Sequence, residues 1–217
     1  LVLAAWWLLR WSSAYGYFGL AAMCWTLHSI VVLTVDIPVP VLEWEVLTIG
    51  SMMWVVVAMM VFALRFAELD RPWLEGAAWG YAVVGPLLLW LGGVSRLSAI
   101  GNSLLLMLLA IGAYEFKVLW DVARRRQSVE SILLVVAGLI VLALGAHDLL
   151  NRRGTFAYAE PFHMHYGVPV LFAAVFWNLL GQVVAGRRAA ETLNVALETR
   201  VREKTAELER SYAQLRD

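Results

Sequence analysis

Residues 164–186 read MHYGVPVLFAAVFWNLLGQVVAG, and residues 187–217 continue RRAAETLNVALETRVREKTAELERSYAQLRD. The first stretch carries no Asp, Glu, Lys or Arg, whereas the second is charged throughout and has neither Gly nor Pro. About 20 apolar residues suffice to cross a hydrocarbon layer of about 30 Å as a helix. The chain is therefore expected to leave a membrane at Arg187 and to continue as a helix in water. Within the tail Leu197, Val201, Leu208 and Leu215 recur at spacings of four and seven, and Lys204 and Ser211 fill the alternate positions. That is the seam of a two-stranded coiled coil, with Glu198, Arg200, Arg202, Glu203, Glu207, Glu209 and Arg210 as its mixed-sign flanks. The tail holds seven of the 17 basic and six of the 17 acidic residues, so the rest of the chain is poor in charge.

Upstream of this tail the same apolar character recurs. Hydrophobic residues make up 61% of the 217, with eleven tryptophans and a mean hydropathy of +0.71, values outside those of a soluble domain. Apolar runs fall at roughly 1–10, 14–35, 45–66, 77–93, 97–120, 129–150 and 164–186. None alternates with period two, which excludes a transmembrane barrel. The expected fold is an all-α membrane protein, a seven-transmembrane helix bundle over 1–186 whose first helix is truncated, continuing over 187–217 into a cytoplasmic coiled-coil signalling helix. The opening LVLAAWWLLR reads as a helix already under way, so the chain is expected to be cut from a longer one at both ends. Trp11, Trp44, Trp73, Trp79, Trp90 and Trp120 fall near the ends of the runs, where an amphipathic ring suits the headgroup boundary. Pro86 and Pro169 are expected to kink their spans, and Gly92, Gly93, Gly101, Ser103 and Gly112 to mark close helix contacts.

Orientation follows from the basic residues, which accumulate in cytoplasmic connections. One set of connections carries Arg10, Arg65, Arg71, Lys117, Arg124, Arg125, Arg126, Arg187 and Arg188; the other carries only Arg96, Arg152 and Arg153. The tail is thus expected inside and the start of the first span outside. A formal net charge of zero gives no basic field for nucleic acid, and the single Cys24 excludes an intrachain disulfide.

With that topology, His28, His147, His163 and His165 fall at comparable depth toward the outer side, accompanied by Asp148. Ionisable groups at membrane depth are candidate functional sites. Three readings stand: a metal site, since imidazoles with a carboxylate suit zinc or copper; a polar pocket for a small ligand or for proton sensing; and interfacial histidines bonded to backbone or headgroups. Cys24 lies one helical turn from His28. His163 and His165 point about 200° apart on a helix and converge only if their segment is still loop. Arg152, Arg153 and Glu160 read as a solvated connection. No other cofactor is indicated.

Residue types exclude several classes. A retinal Schiff base needs a lysine in the last span, and Lys117 and Lys204 both lie outside the expected bilayer core. HExxH, GxSxG and Walker sequences are absent. Intramembrane acids are sparse for an ion-coupled transporter, with Asp148 terminal and Glu115 near the inner end of the fifth span. No catalytic domain is recognisable in the chain.

The stretch LNVALETRVREKTAELERSYAQLRD at 193–217, with Leu197, Arg200, Val201, Lys204, Thr205 and Leu208, resembles the linker that follows the last span in bacterial sensor kinases and also precedes diguanylate cyclases. The seven-span block is similar to the bacterial seven-transmembrane receptors with diverse intracellular signalling modules. The resemblance implies a homodimeric inner-membrane receptor whose tail feeds a histidine kinase, with a response regulator as downstream partner, or alternatively a cyclase. A transport or metal-handling protein working through its histidines is the other reading.

Overall fold

The computed structural model describes residues 13–34, 36, 38–155 and 162–216, with 13 and 206–216 as backbone only. The run at 1–10 lies outside the described residues. Regular structure among the described residues is all helical: α1 (Ser13–Leu33), α2 (Val41–Phe66), α3 (Pro72–Arg126), α4 (Val129–Arg152) and α5 (Met164–Arg216). All five are long and apolar enough to cross a membrane, in keeping with a multi-pass membrane protein.

Local chemistry sets the helix ends. Pro40 holds extended angles before α2, so that helix starts at Val41 and takes in Leu42 and Trp44, earlier than the expected 45. Pro72 occupies the first turn of α3, where its missing N–H costs nothing. Gln127 closes α3 in a left-handed conformation. The next residue, Ser128, accepts the Ser131 N–H at 3.2 Å and caps α4. Two residues thus turn α3 into α4.

The fourth and fifth expected spans are the two arms of α3, 72–92 and 94–126. Their junction is not the short loop the sequence suggested but Gly93 alone, at φ 64° and ψ −178°, a combination open essentially to glycine only. The Tyr81 hydroxyl donates to the Leu104 carbonyl at 2.6 Å, although 23 helical residues would separate the two by about 35 Å. The arms therefore fold back on one another. A Cβ built on Gly93 would meet nothing within 4 Å, so this glycine is kept for its backbone and not for the close packing expected of it. Close contacts do fall at Gly92 and Gly101, as expected, and also at Gly85: a Cβ at these positions would meet the Ile100, Ile49 and Met53 side chains. The arm stays helical through Pro86, with non-helical angles only at Gly93.

Helix α2 sits at the centre, packed between α1 and α3, while α3 also packs on α4. Val57 through Leu64 is buried on every face, as expected for a helix that is apolar all round and enclosed by others. The neighbours instead turn large apolar side chains outward, among them Leu87, Leu91, Ile132, Val136 and Leu139. A continuous apolar exterior of that kind suits lipid. At one end of α2, Arg65 pairs with Asp70 at 2.6 Å and Glu75 at 2.8 Å, and the Arg126 guanidinium lies 4.6 Å over the Phe66 ring. Two compact units divide the chain, one ending at Ala174 and the other beginning at Val175. The division falls within α5. In the second unit the helix exposes Leu193, Val195, Leu197 and Val201.

Candidate functional site

The four histidines lie at the end of the first unit opposite Arg65, and they form two groups rather than one. The first group is built on the junction of α4 and α5. Asp148, one turn before the end of α4, is buried. Its Oδ1 accepts the His163 N–H at 2.9 Å and its Oδ2 accepts the Met164 N–H at 2.8 Å. Two of the orphan donors at the start of α5 are thereby satisfied by a carboxylate from another helix, which the helix dipole also favours. The same carboxylate lies 3.2 Å from His147 Nδ1 and 4.0 Å from His163 Nδ1, and the two imidazoles meet edge to face at 4.9 Å between centroids. Ligand atoms of His147, Asp148 and His163 all fall within 4.8 Å of one another, so the three could hold a metal ion.

The second group is aromatic. Because the carbonyl of Thr48 can only accept, His28 Nδ1 is the donor of the 3.1 Å bond to it, with Ser51 Oγ 3.0 Å away. The Trp25 ring lies 5.3 Å from the His28 ring and 5.8 Å from His165, and the two imidazoles stand nearly perpendicular at 5.7 Å. His165 Nδ1 and Nε2 are both buried without a hydrogen-bond partner. His163 and His165 thus face different sites. His163 precedes the first residue of α5 and turns to His147, while His165, one residue into the helix, turns to α1. Cys24 packs against the apolar core around Trp25 and Ile49.

Asp148 of the first group and His28 and His165 of the second border a cleft of about 350 Å³, lined from α1, α2, the 94–126 arm, α4 and the start of α5. His28, Thr48, Asp148, His165 and the Glu45–Arg152 pair stand at one end of it. Arg152 Nη2 is 3.1 Å from Glu45 Oε2, with both side chains about three-quarters buried. This corrects the reading of Arg152 as part of a solvated connection, because the burial follows from a partner 107 residues away that local sequence cannot indicate. Glu160 lies outside the described residues. Glu115 lines the cleft toward its other end, and its Oε1 is buried with no partner. Trp25, Glu45, Thr48 and Ser51 were not singled out in the sequence, and only Trp25, one turn from His28, carried any signal there.

Of the expected seam, Leu197 and Val201 are exposed. The side chains of Leu208, Ser211 and Leu215 lie outside the described residues. Comparison with family models, with characterised proteins and with solved structures returned no match for this chain.

Proposed function

We propose that the chain is the membrane-embedded receptor and relay module of a bacterial sensor histidine kinase. In this reading seven spans cross the inner membrane, the histidine end faces outward, and the charged tail pairs with that of a second copy in the cytoplasm. One observation carries the reading. The helix that begins at the Asp148 cap with His165 in its first turn also contains the stretch where Leu197 and Val201 lie exposed among charges. A ligand that favours one packing of the α5 start over another would shift the equilibrium between two states of that helix, and a paired tail would report the shift. Lys204 and Ser211 on the seam weaken pairing, which suits an element that switches. The kinase output and its response regulator rest on the resemblance of 193–217 to sensor-kinase linkers, and a diguanylate cyclase is the alternative output.

The test is disulfide crosslinking in membranes of chains carrying single cysteines along 193–215 in a Cys24→Ser background. Strong dimer formation at 197, 201 and 208 with weak formation between them is the expected pattern. A flat profile along the tail would remove the basis for a paired relay helix.

A metal-handling role is the second reading, favoured by the His147, Asp148 and His163 group. It makes the histidine end the working site and the tail a means of assembly only.

A further inference from the structure

We propose that the cleft binds an uncharged single-chain amphiphile, with a hydroxyl or carbonyl head at His165 and its chain lying along α2 toward Glu115. The inference deepens the receptor reading by naming its ligand class, and it is tested by binding, independently of output.

Length argues first. The lining runs on α2 from Trp44 to Ala63, nineteen residues or about 29 Å of helix, close to the thickness of a hydrocarbon core. A volume of about 350 Å³ spread over that length is narrow. It has room for one extended chain. The middle of the slot is apolar, with Met52, Val56, Leu105, Leu108 and Val141 on its walls.

The head position is set by His165, whose two ring nitrogens are buried and unpaired while the ring lines the cleft. Buried polar atoms without partners are costly, on the order of 1–3 kcal/mol each. A neutral imidazole offers one donor and one acceptor, the complement of a hydroxyl. Charge then selects against ionised heads. Arg152 is matched by Glu45 at 3.1 Å, and Asp148 is a second carboxylate in the lining, offset only by about half a charge from the α5 N-terminus. An anionic head would find no unmatched Lys or Arg among the residues lining this end, and a cationic ammonium head, which has donors only, could not accept the hydrogen bond that the His165 ring N–H offers. An uncharged head avoids both penalties. Toward the far end stands Glu115, one turn before Leu119, the last lining residue of that arm: it lies fourteen residues, about 21 Å, beyond Gly101, at which a Cβ would sit 3.2 Å from Ile49. Chains that reach past this carboxyl should lose affinity.

The experiment uses the full chain in nanodiscs and a long-chain alcohol bearing a photoreactive group in mid-chain. Saturable labelling within 105–116 and 138–145 is expected, competed by dodecanol but not by dodecanoate or dodecylamine, and less by octanol or docosanol. His165→Phe should weaken competition about tenfold, equivalent to 1.4 kcal/mol, and Leu108→Trp should abolish labelling by filling the slot. Val136→Trp, on the lipid-facing side of α4, controls for folding and should label like the parent. Non-saturable labelling, equal competition by dodecanoate, or unchanged labelling in both cleft variants would overturn the proposal. An uncharged lipid co-purifying one per chain would identify the source as the membrane; binding in a preparation free of such lipid would identify a diffusible compound. Saturable binding with a flat crosslinking profile leaves the ligand site standing and removes the relay; the opposite pair of results does the reverse.

Discussion

The carboxylate of Asp148 accepts the backbone N–H of Met164 at 2.8 Å, so the last acidic residue of α4 is the cap of α5. Replacing it with Ala would strip two backbone donors of their partner at a buried position, a cost of about 1–3 kcal/mol for each donor that water does not reach. Asp148→Ala should lower the midpoint of thermal unfolding in nanodiscs, and Asp148→Asn, which keeps one acceptor oxygen, should recover part of the loss. Equal midpoints for the Asn and Ala variants would argue that capping is not what the carboxylate contributes.

Gly93 and Gly80 make a matched pair. At φ 64° and ψ −178° any Cβ strains the reversal of α3, so Gly93→Ala should destabilise by about 1–3 kcal/mol. Gly80 is helical with open space around it, and Gly80→Ala should be neutral or stabilising by up to about 1 kcal/mol. Yields of folded protein after size-exclusion chromatography rank the two, and a reversed order would contradict a one-residue reversal at Gly93.

The three-residue group at the α4–α5 junction should bind zinc, measured as metal per chain after dialysis. Replacing His147 or His163 with Ala should lower occupancy sharply, whereas His28→Ala and His165→Ala should not, because those rings belong to the other group. Only neutral imidazole ligates. Metal binding displaces protons from its ligands, so occupancy should fall as pH drops from 7 to 5. Zinc binding that persists without His163 would place the metal elsewhere.

The Glu45–Arg152 pair joins α2 to the end of α4 across 107 residues. Arg152→Glu sets two carboxylates against each other and should lower the unfolding midpoint, and the double variant Glu45→Arg with Arg152→Glu should restore much of it. A coupling of about 1 kcal/mol is the expected size for a partly exposed pair. Independent, additive effects of the two changes would mean that the pair is not formed.

Much of this architecture was legible because apolar runs long enough to cross a bilayer leave few alternatives: helix α4 was expected at 129–150 and runs Val129–Arg152. The order of burial was not legible. Hydropathy treats lipid and protein interior alike, so nothing distinguished the enclosed Val57–Leu64 stretch from the outward Leu87 and Leu91. Among polar residues, the split of His163 from His165 turned on whether α5 starts before or between them. That start is fixed by Asp148, a contact between helices that helical periodicity cannot reveal. Glu45 drew no notice for the same reason, since its partner is remote in sequence. The relation of the run at 1–10 to the bundle lies outside the described residues.

His163 and His165 flank a single residue, Met164, yet one faces a candidate ion site and the other a candidate amphiphile site. Anything bound at either must act on the same helical turn. Linkage then requires reciprocity: if zinc alters the affinity for the amphiphile by some factor, the amphiphile alters the affinity for zinc by that same factor. Each of two chemically unrelated inputs, one from the aqueous phase and one from the oily phase, would in that case set the chain's sensitivity to the other.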